Sequence, residues 1–302
     1  MRFWLGLSAV LLSIPTLAQE RAAVDEPLAN RIAATTEALS QYRSLDNGIW
    51  SGASLGHIND SRPGFSRVVD VRSLQIGYDY RIVSPFTAND QLVLGLAGGV
   101  LNAAARLDAQ NTHIDSHGWS VTGYGVYAPF IFLSFPVAIS VGRWSSDQTR
   151  TGTPLMPIYS ASYDSTSFAS SVGAALTLPV SRFLLTTSFS HRYSDNNRPA
   201  YDEAINPAAT DFQTTPAEVT DSSQLVGNMR LALPFETGRL WTSVGYAYDL
   251  QRLPAEDTRS EYPLGIGLDL LSPRWQLSAA GQLVLRHDIT TYTGSLTGRL
   301  QF

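Results

Sequence analysis

The chain of 302 residues contains no cysteine. Disulfide bonds and thiol catalysis are therefore excluded, and stability must come from packing and backbone pairing. Lysine is also missing, so all 21 residues counted as Lys or Arg are arginines. With a formal net charge of −5, the sequence offers no basic patch for nucleic acid, and we expect no nucleic-acid partner.

Long hydrophobic runs are missing as well. Beyond the N-terminus no stretch reaches the 18 or so apolar residues that a membrane-spanning helix requires, which excludes helical membrane insertion. Charged residues make up 16% of the chain, against about a quarter in soluble domains. A composition that is polar but sparsely charged is typical of a strand-rich wall.

The N-terminus carries an export signal. Arg2 precedes a short apolar run over residues 3–12, and Ala18 offers a small residue at a cleavage position. This order of a positive residue, an apolar run and a small residue is typical of a secretory signal peptide. We predict a signal peptide over residues 1–18, cleaved after Ala18.

Strict alternation of apolar and polar residues runs through the rest of the sequence. In residues 225–235, Leu225, Met229 and Leu231 alternate with polar positions that include Arg230. The last residues of the chain follow the same rule, and Phe302 lies on the apolar side. About twelve such segments have the length of roughly ten residues that a tilted transmembrane strand requires.

Alternation alone fits two architectures, a soluble β-sandwich and a membrane β-barrel. The links between segments favour the barrel, because longer polar links, such as 107–117, 146–164, 195–222 and 252–262, alternate with mostly tight turns. A sheet in hydrocarbon must close, so the first and last strands must pair. We therefore predict an all-β fold, a closed up-and-down antiparallel transmembrane β-barrel over residues 46–302.

The residues of this predicted barrel resemble the β-domain of autotransporters over about 49–302. The segments that carry the resemblance are LQIGYDYRI (74–82), GWSVTGYGVYAPF (118–130), GRWSS (142–146) and the terminal GSLTGRLQF. The resemblance implies twelve strands, a helix threaded through the pore, and insertion into a Gram-negative outer membrane by assembly machinery that reads the last strand. Its implied partners are outer-membrane lipid, lipopolysaccharide and periplasmic chaperones. The assembly signal then consists of Tyr292, Leu296, Leu300 and Phe302.

Residues 19–45 have the features of the pore helix. Acidic residues and Pro27 begin the segment, and alanines continue it. We expect an N-terminal α-helix in the lumen whose Arg31, Glu37 and Arg43 face polar wall residues, although a helix outside the pore fits the sequence too. The residues expected to line the lumen are Asp79, Arg81, Arg192, Arg230, Asp249, Arg286 and Arg299. Only about thirty residues separate the predicted cleavage point from the first strand, so we expect a free-standing barrel without an exported passenger.

Candidate catalytic and metal-binding groups are sparse. His113, Asp115 and His117 share one strand face, yet a solvated loop explains them better than a metal site. Ser190 and His191 are adjacent and so face opposite sides of a strand, which separates nucleophile from base. We expect a non-enzymatic pore or membrane scaffold without metal or cofactor. The alternatives are an open small-solute channel and an outer-membrane hydrolase.

Another feature is the acidic segment that follows the seventh predicted strand. Asp202, Glu203 and Asp211 lie in the predicted link 195–222. We expect these carboxylates to be solvated, or bridged to lipopolysaccharide by divalent cations.

Overall fold

A computed structural model of the chain describes residues 47–62, 66–108, 111–151, 158–206, 212–251 and 259–302. The predicted signal peptide and pore helix lie outside these residues. Within the described part, no helix is both long enough and apolar enough to cross a membrane.

The described residues form fourteen β-strands, of which twelve build one ring. The ring strands are β1 (Gly48–Asp60), β2 (Arg67–Val83), β3 (Gln91–Leu107), β4 (Thr112–Phe130), β5 (Leu133–Thr151), β6 (Ile158–Val180), β7 (Phe183–Arg198), β10 (Glu218–Phe235), β11 (Gly238–Asp249), β12 (Ser260–Leu271), β13 (Trp275–Arg286) and β14 (Ile289–Gln301). The short strands β8 (Tyr201–Asn206) and β9 (Phe212–Thr215) pair with each other in the link between β7 and β10.

The ring closes where the first strand meets the last. β1 pairs antiparallel with β14 from Gly48 opposite Gln301 to Asp60 opposite Ile289. Every other ring strand is hydrogen-bonded to a neighbour on each side. This confirms the predicted twelve-stranded closed barrel, and the β1–β14 pair is called the closing seam below.

The register fixes the size of the barrel. A row of directly paired residues that starts at Asp164 on β6 passes through β5 to β1, continues through β14 to β7, and returns to β6 at Leu178. The offset between these two residues gives a shear of 14. For twelve strands, this shear corresponds to a tilt of about 39° and a backbone radius of about 12 Å.

The two faces of the sheet differ as the alternation predicts. Large apolar side chains are exposed on the outer face of nearly every ring strand, for instance Leu55, Leu74, Val137, Val244 and Leu296. The inner face carries buried arginines and aspartates along with small polar residues. Because the outer face has no protein cover, only a hydrocarbon environment makes this exposure favourable.

The two ends of the barrel are called the terminal rim and the loop rim. The terminal rim contains Gly48 and the chain end, and its turns span 84–90, 131–132, 181–182, 236–237 and 272–274. The loop rim contains the remaining links. The asymmetry of the links is incomplete, because 108–111 and 287–288 at the loop rim are short. Strands replace much of the predicted links 107–117, 146–164 and 195–222, because the hydrogen-bonded ladder continues past the height at which the outer side chains become polar.

An apolar patch lines the inner face near the loop rim, which the predicted polar lumen did not include. Ile58, Val69, Val71, Leu101 and Ile114 lie on four consecutive strands and are almost completely buried. Trp144 and Ile289 extend the cluster to β5 and β14. Side chains on neighbouring strands of one face pack against each other. The patch therefore stabilises the half of the barrel formed by β14 and β1 to β5.

Candidate functional site

The inner face near the terminal rim carries a buried aromatic and charged cluster, called the seam unit. It consists of Trp50, Gly77, Asp79, Tyr124 and Arg299. The indole of Trp50 lies flat over Gly77, where an added Cβ would come within 2.5 Å of the ring. Glycine is therefore required opposite Trp50, because the close approach of the ring leaves no room for a side chain.

Asp79 is the centre of the seam unit. Arg299 donates from Nε to Asp79 Oδ2 at 3.1 Å, and the two side chains are each only 2% exposed. The hydroxyl of Tyr124 donates to the other carboxylate oxygen, and Trp50 Nε1 donates to that hydroxyl at 2.7 Å. Since Arg299 belongs to β14 and Asp79 to β2, the ion pair spans the closing seam across β1.

A second cluster of similar composition lies on β10, β11 and β12 and is called the local unit. It consists of Arg230, Arg239, Trp241, Gly267 and Asp269. Trp241 lies over Gly267, its direct neighbour in the register, as Trp50 lies over Gly77. Arg239 donates to Asp269 at 2.6 Å, Arg230 approaches the same carboxylate at 3.5 Å, and the Arg230 guanidinium stacks 3.7 Å from the Trp241 ring centre.

Nearer the loop rim, a third group of charges faces the lumen. Arg286 donates to Asp249 at 2.6 Å and to Glu261 at 2.9 Å. Gln224 donates to both carboxylates at 3.1 Å. These contacts link β10 to β13 along the inner face, so the charges hold the wall together rather than facing water alone.

The structure places the predicted lumen residues on the inner face of the ring. Those buried there are Asp79, Arg230, Asp249, Arg286 and Arg299. Arg81 is half-buried near the terminal rim and donates to Gln91 at 2.9 Å. Arg192 has the same parity on β7 but is exposed. Arg31, Glu37 and Arg43 lie outside the described residues.

The predicted assembly residues share the outer face of β14. Exposure there is 53% for Tyr292, 52% for Leu296, 65% for Leu300 and 68% for Phe302. Phe302 stacks on Tyr78 with ring centres 6.4 Å apart, and its amide donates to Asn47 O at 3.0 Å. The chain end is thus held against β1 and β2 at the terminal rim.

The acidic link differs from its prediction. Glu203 is only 3% exposed, and it accepts hydrogen bonds from Arg150 at 2.6 Å and Gln148 at 3.0 Å. The prediction of a solvated carboxylate was wrong for Glu203, because β8 pairs with the end of β6 and turns this side chain inward. Asp202 is exposed and accepts a hydrogen bond from Thr214, while Asp211 lies outside the described residues.

The remaining candidate groups, except Ser190, lie on the outer face. His113, Asp115 and His117 point outward from β4, and His113 pairs with Asp115 at 3.0 Å. No cluster suited to a metal ion occurs among the residues that the structure describes. His191 contacts Ser223 of β10 at 2.7 Å, whereas Ser190 faces inward.

Comparisons with known proteins agree with this geometry. The family model of the autotransporter beta-domain matches residues 49–294. The chain belongs to the autotransporter β-domain family. Membership makes the described ring an outer-membrane β-barrel of autotransporter type. Among curated protein sequences, no match to the chain was found.

Solved structures show that this autotransporter β-domain shares its fold with translocator barrels. The translocator domain of NalP from Neisseria meningitidis superposes with a TM-score of 0.76 at 14% identity, covering 94% of this chain and 98% of that one. The beta domain of Bordetella BrkA gives 0.70 at 14% identity over 85% and 100% of the two chains. The transport unit of AIDA-I from Escherichia coli gives 0.61 at 11% identity over 91% and 99%.

Several lumen residues of the autotransporter β-domain escaped the sequence interpretation, notably Trp50, Tyr124, Trp241, Arg239 and Glu261. A signal for two of them exists in the sequence. GIW (48–50) pairs with GYD (77–79), and RLW (239–241) pairs with GLD (267–269). In both units a tryptophan lies at an inward-facing position of one strand and a glycine lies opposite it on the next strand. An aspartate follows two residues after that glycine.

Proposed function

We propose that the barrel acts as a non-enzymatic pore or membrane scaffold whose lumen is filled by the chain's own residues 19–45 as a helix. Arg31, Glu37 and Arg43 of that segment then face the charged inner wall, which includes Asp79, Arg230, Asp249 and Arg299. Residues 1–18 are removed on export in this proposal.

The size of the ring supports this function most directly. The backbone diameter of the barrel is about 24 Å. Inward side chains fill about 5 Å on each side, half the ~10 Å spacing of packed sheets, so the free width of the lumen is about 14 Å. An α-helix with its side chains is about 10–12 Å wide. One helix therefore fits, and little water-filled bore remains beside it.

Conductance in planar bilayers tests the filled lumen. We expect a low conductance for the chain without its signal peptide and at least a severalfold increase when residues 19–45 are deleted. Both proteins must first show heat-modifiable gel mobility, which verifies that the barrel is folded. A high conductance that the deletion leaves unchanged would instead establish the open small-solute channel.

For biogenesis, we propose that the outer-membrane assembly machinery reads Tyr292, Leu296, Leu300 and Phe302, with periplasmic chaperones carrying the unfolded chain. The support is that all four side chains form one exposed stripe on the last strand. Deleting Phe302 should sharply lower the yield of folded barrel in outer-membrane fractions. Replacing Phe235, an exposed aromatic at the end of β10, by alanine is the control and should leave the yield unchanged.

A second candidate function rests on one contact. The His191–Ser223 hydrogen bond on the outer face resembles the base and nucleophile of an acyl hydrolase. Hydrolysis also needs a group that orients the histidine, and no described carboxylate bonds to its other ring nitrogen. A lipase assay on folded protein, with Ser223→Ala as control, decides the point: turnover that this variant abolishes would establish the hydrolase.

A further inference from the structure

Outward-facing arginines near the loop rim lie on one side of the barrel only, among the residues that the structure describes. On β1–β5, the basic side chains facing outward there are His57, Arg72, Arg106, His113, His117 and Arg143. On the other ring strands, the outer face at this height carries Asp164, Asp195, Asp221 and uncharged residues, and no arginine among those the structure describes. The uneven charge distribution points to an anionic partner beside β1–β5.

The height of Arg72 on the barrel can be read from the register. Arg72 pairs directly with Leu55 of β1, and Leu55 pairs with Gly294 of β14, which makes two steps from strand to strand. Tyr292 lies two residues closer to the loop rim than Gly294. With a tilt of about 39°, the two steps descend about 6 Å and the two residues rise about 5 Å. Arg72 is therefore level with Tyr292, and the same reasoning places it level with Trp119 on β4.

Tyr292 and Trp119 are exposed aromatics of the kind that mark the boundary between hydrocarbon and headgroups. Below the boundary, the neighbouring outer side chains are Leu74, Val100 and Val121, all exposed and apolar. A group bound at Arg72 thus sits at headgroup level, with its acyl chains against an apolar wall.

Nearby carboxylates do not neutralise Arg72. Asp70 contacts His57 at 2.8 Å, Asp115 contacts His113, and Asp164 contacts Arg143 at 2.7 Å. Asp147 accepts from Ser162 at 2.5 Å. None of these described contacts involves Arg72, so its guanidinium is left to bind an anion.

Three exposed side chains form one cradle, called the Arg72 row. Arg72, Asn102 and His117 are direct neighbours on β2, β3 and β4. β2 and β4, the first and last strands of this row, are about 10 Å apart. The long side chain of Arg72 bridges part of that distance. An arginine, an amide and an imidazole together offer several hydrogen-bond donors to one tetrahedral anion.

We propose that the Arg72 row binds a phosphate group of lipid A. Lipopolysaccharide fills the outer leaflet, and the longer links that mark the loop rim are extracellular in such barrels, so the row faces that leaflet. The inference depends on the outer-membrane location and not on what fills the lumen. Its failure would leave the conductance test unaffected.

The test measures lipid retained by the folded full chain in detergent. Native mass spectrometry counts bound bisphosphoryl lipid A for the wild type, for Arg72→Gln and for Arg72→Gln with His117→Gln. Loss of a charge-assisted contact should weaken retention about tenfold for the single variant, and further for the double variant. Arg182→Gln, which removes the same charge from an exposed turn at the terminal rim, should behave as wild type.

Two further probes fix the identity of the ligand. Lipid A without phosphate groups should be retained at least tenfold more weakly than the bisphosphoryl form, and phosphatidylglycerol should not replace it. Equal retention by Arg72→Gln and wild type would overturn the proposal. So would equal retention of phosphatidylglycerol, or displacement of lipid A by equimolar inorganic phosphate, since either shows a general anion site.

Discussion

The seam unit and the local unit use the same parts in different connections. Each lays a tryptophan over a glycine and pairs an arginine with an aspartate two residues beyond that glycine. In the local unit, Arg239 and Asp269 face each other on adjacent strands. In the seam unit, position 48 is glycine, and Arg299 reaches over it from β14.

The difference shows how the ends of the chain are joined. A Cβ at Gly48 would lie 2.9 Å from Arg299 Cζ and 2.6 Å from Leu300 O, so only glycine leaves the space that Arg299 uses. The ion pair of the seam unit therefore joins the last strand to the second one. That of the local unit joins β11 and β12, which follow each other in the chain. An arginine–aspartate pair thus supports barrel closure in the seam unit and strengthens the contact between two consecutive strands in the local unit.

The largest expected difference concerns the arginines. Arg299→Met removes the buried ion pair that joins β14 to β2 and should cost about 3–5 kcal/mol of unfolding free energy. Arg239→Met should cost about 1–2 kcal/mol less, because Arg230 also approaches Asp269. Urea unfolding in detergent, followed by heat-modifiable mobility, measures both. Equal losses would show that the seam has no special role.

A smaller effect is expected at the glycines under the two tryptophans. Gly77→Ala and Gly267→Ala force each indole off its glycine and should each cost about 1–3 kcal/mol. Gly123→Ala is the matched control, since a Cβ there meets nothing within 4 Å. The same unfolding assay applies, and an unaltered stability for both buried variants would refute the described ring positions.

The smallest difference concerns the indole nitrogens. Trp50 donates to Tyr124, whereas Trp241 Nε1 has no hydrogen-bond partner in the described structure. Trp50→Phe should therefore be more destabilising than Trp241→Phe by about 1 kcal/mol. When Tyr124 is already phenylalanine, Trp50→Phe should lose most of this extra cost, because the hydrogen bond is then absent. A double-mutant cycle of wild type, the two single variants and the double variant measures the difference.

The sequence predicts the strands better than the contacts between them. Alternation identifies the face of Leu225 or Arg230 because a strand has a period of two. It does not predict that Arg299 pairs with Asp79, because that contact depends on the register of two strands at opposite ends of the chain. Strand limits near the loop rim were missed for a related reason: above the membrane the outer side chains are polar, so the alternation that marks a membrane strand disappears.

Glu203 illustrates the same limit. Its neighbours along the chain are polar, and its burial follows only from the pairing of β8 with β6. The paired tripeptides around Trp50 and Trp241 are the exception, since glycine and aspartate two positions apart opposite a tryptophan can be searched for in a sequence.

Closure through the closing seam is the central claim, and a disulfide across it gives the most direct test. The chain has no cysteine, so Ala53→Cys with Leu296→Cys places a single pair at directly opposed outward positions. Opposed residues have Cβ atoms about 4.5–5.5 Å apart, close to disulfide distance. We predict efficient oxidation within one chain, seen as a mobility shift on non-reducing gels, and none for Ala53→Cys with Leu176→Cys on β6. Failure to cross-link in folded protein, or cross-linking only between chains, would contradict the closed barrel.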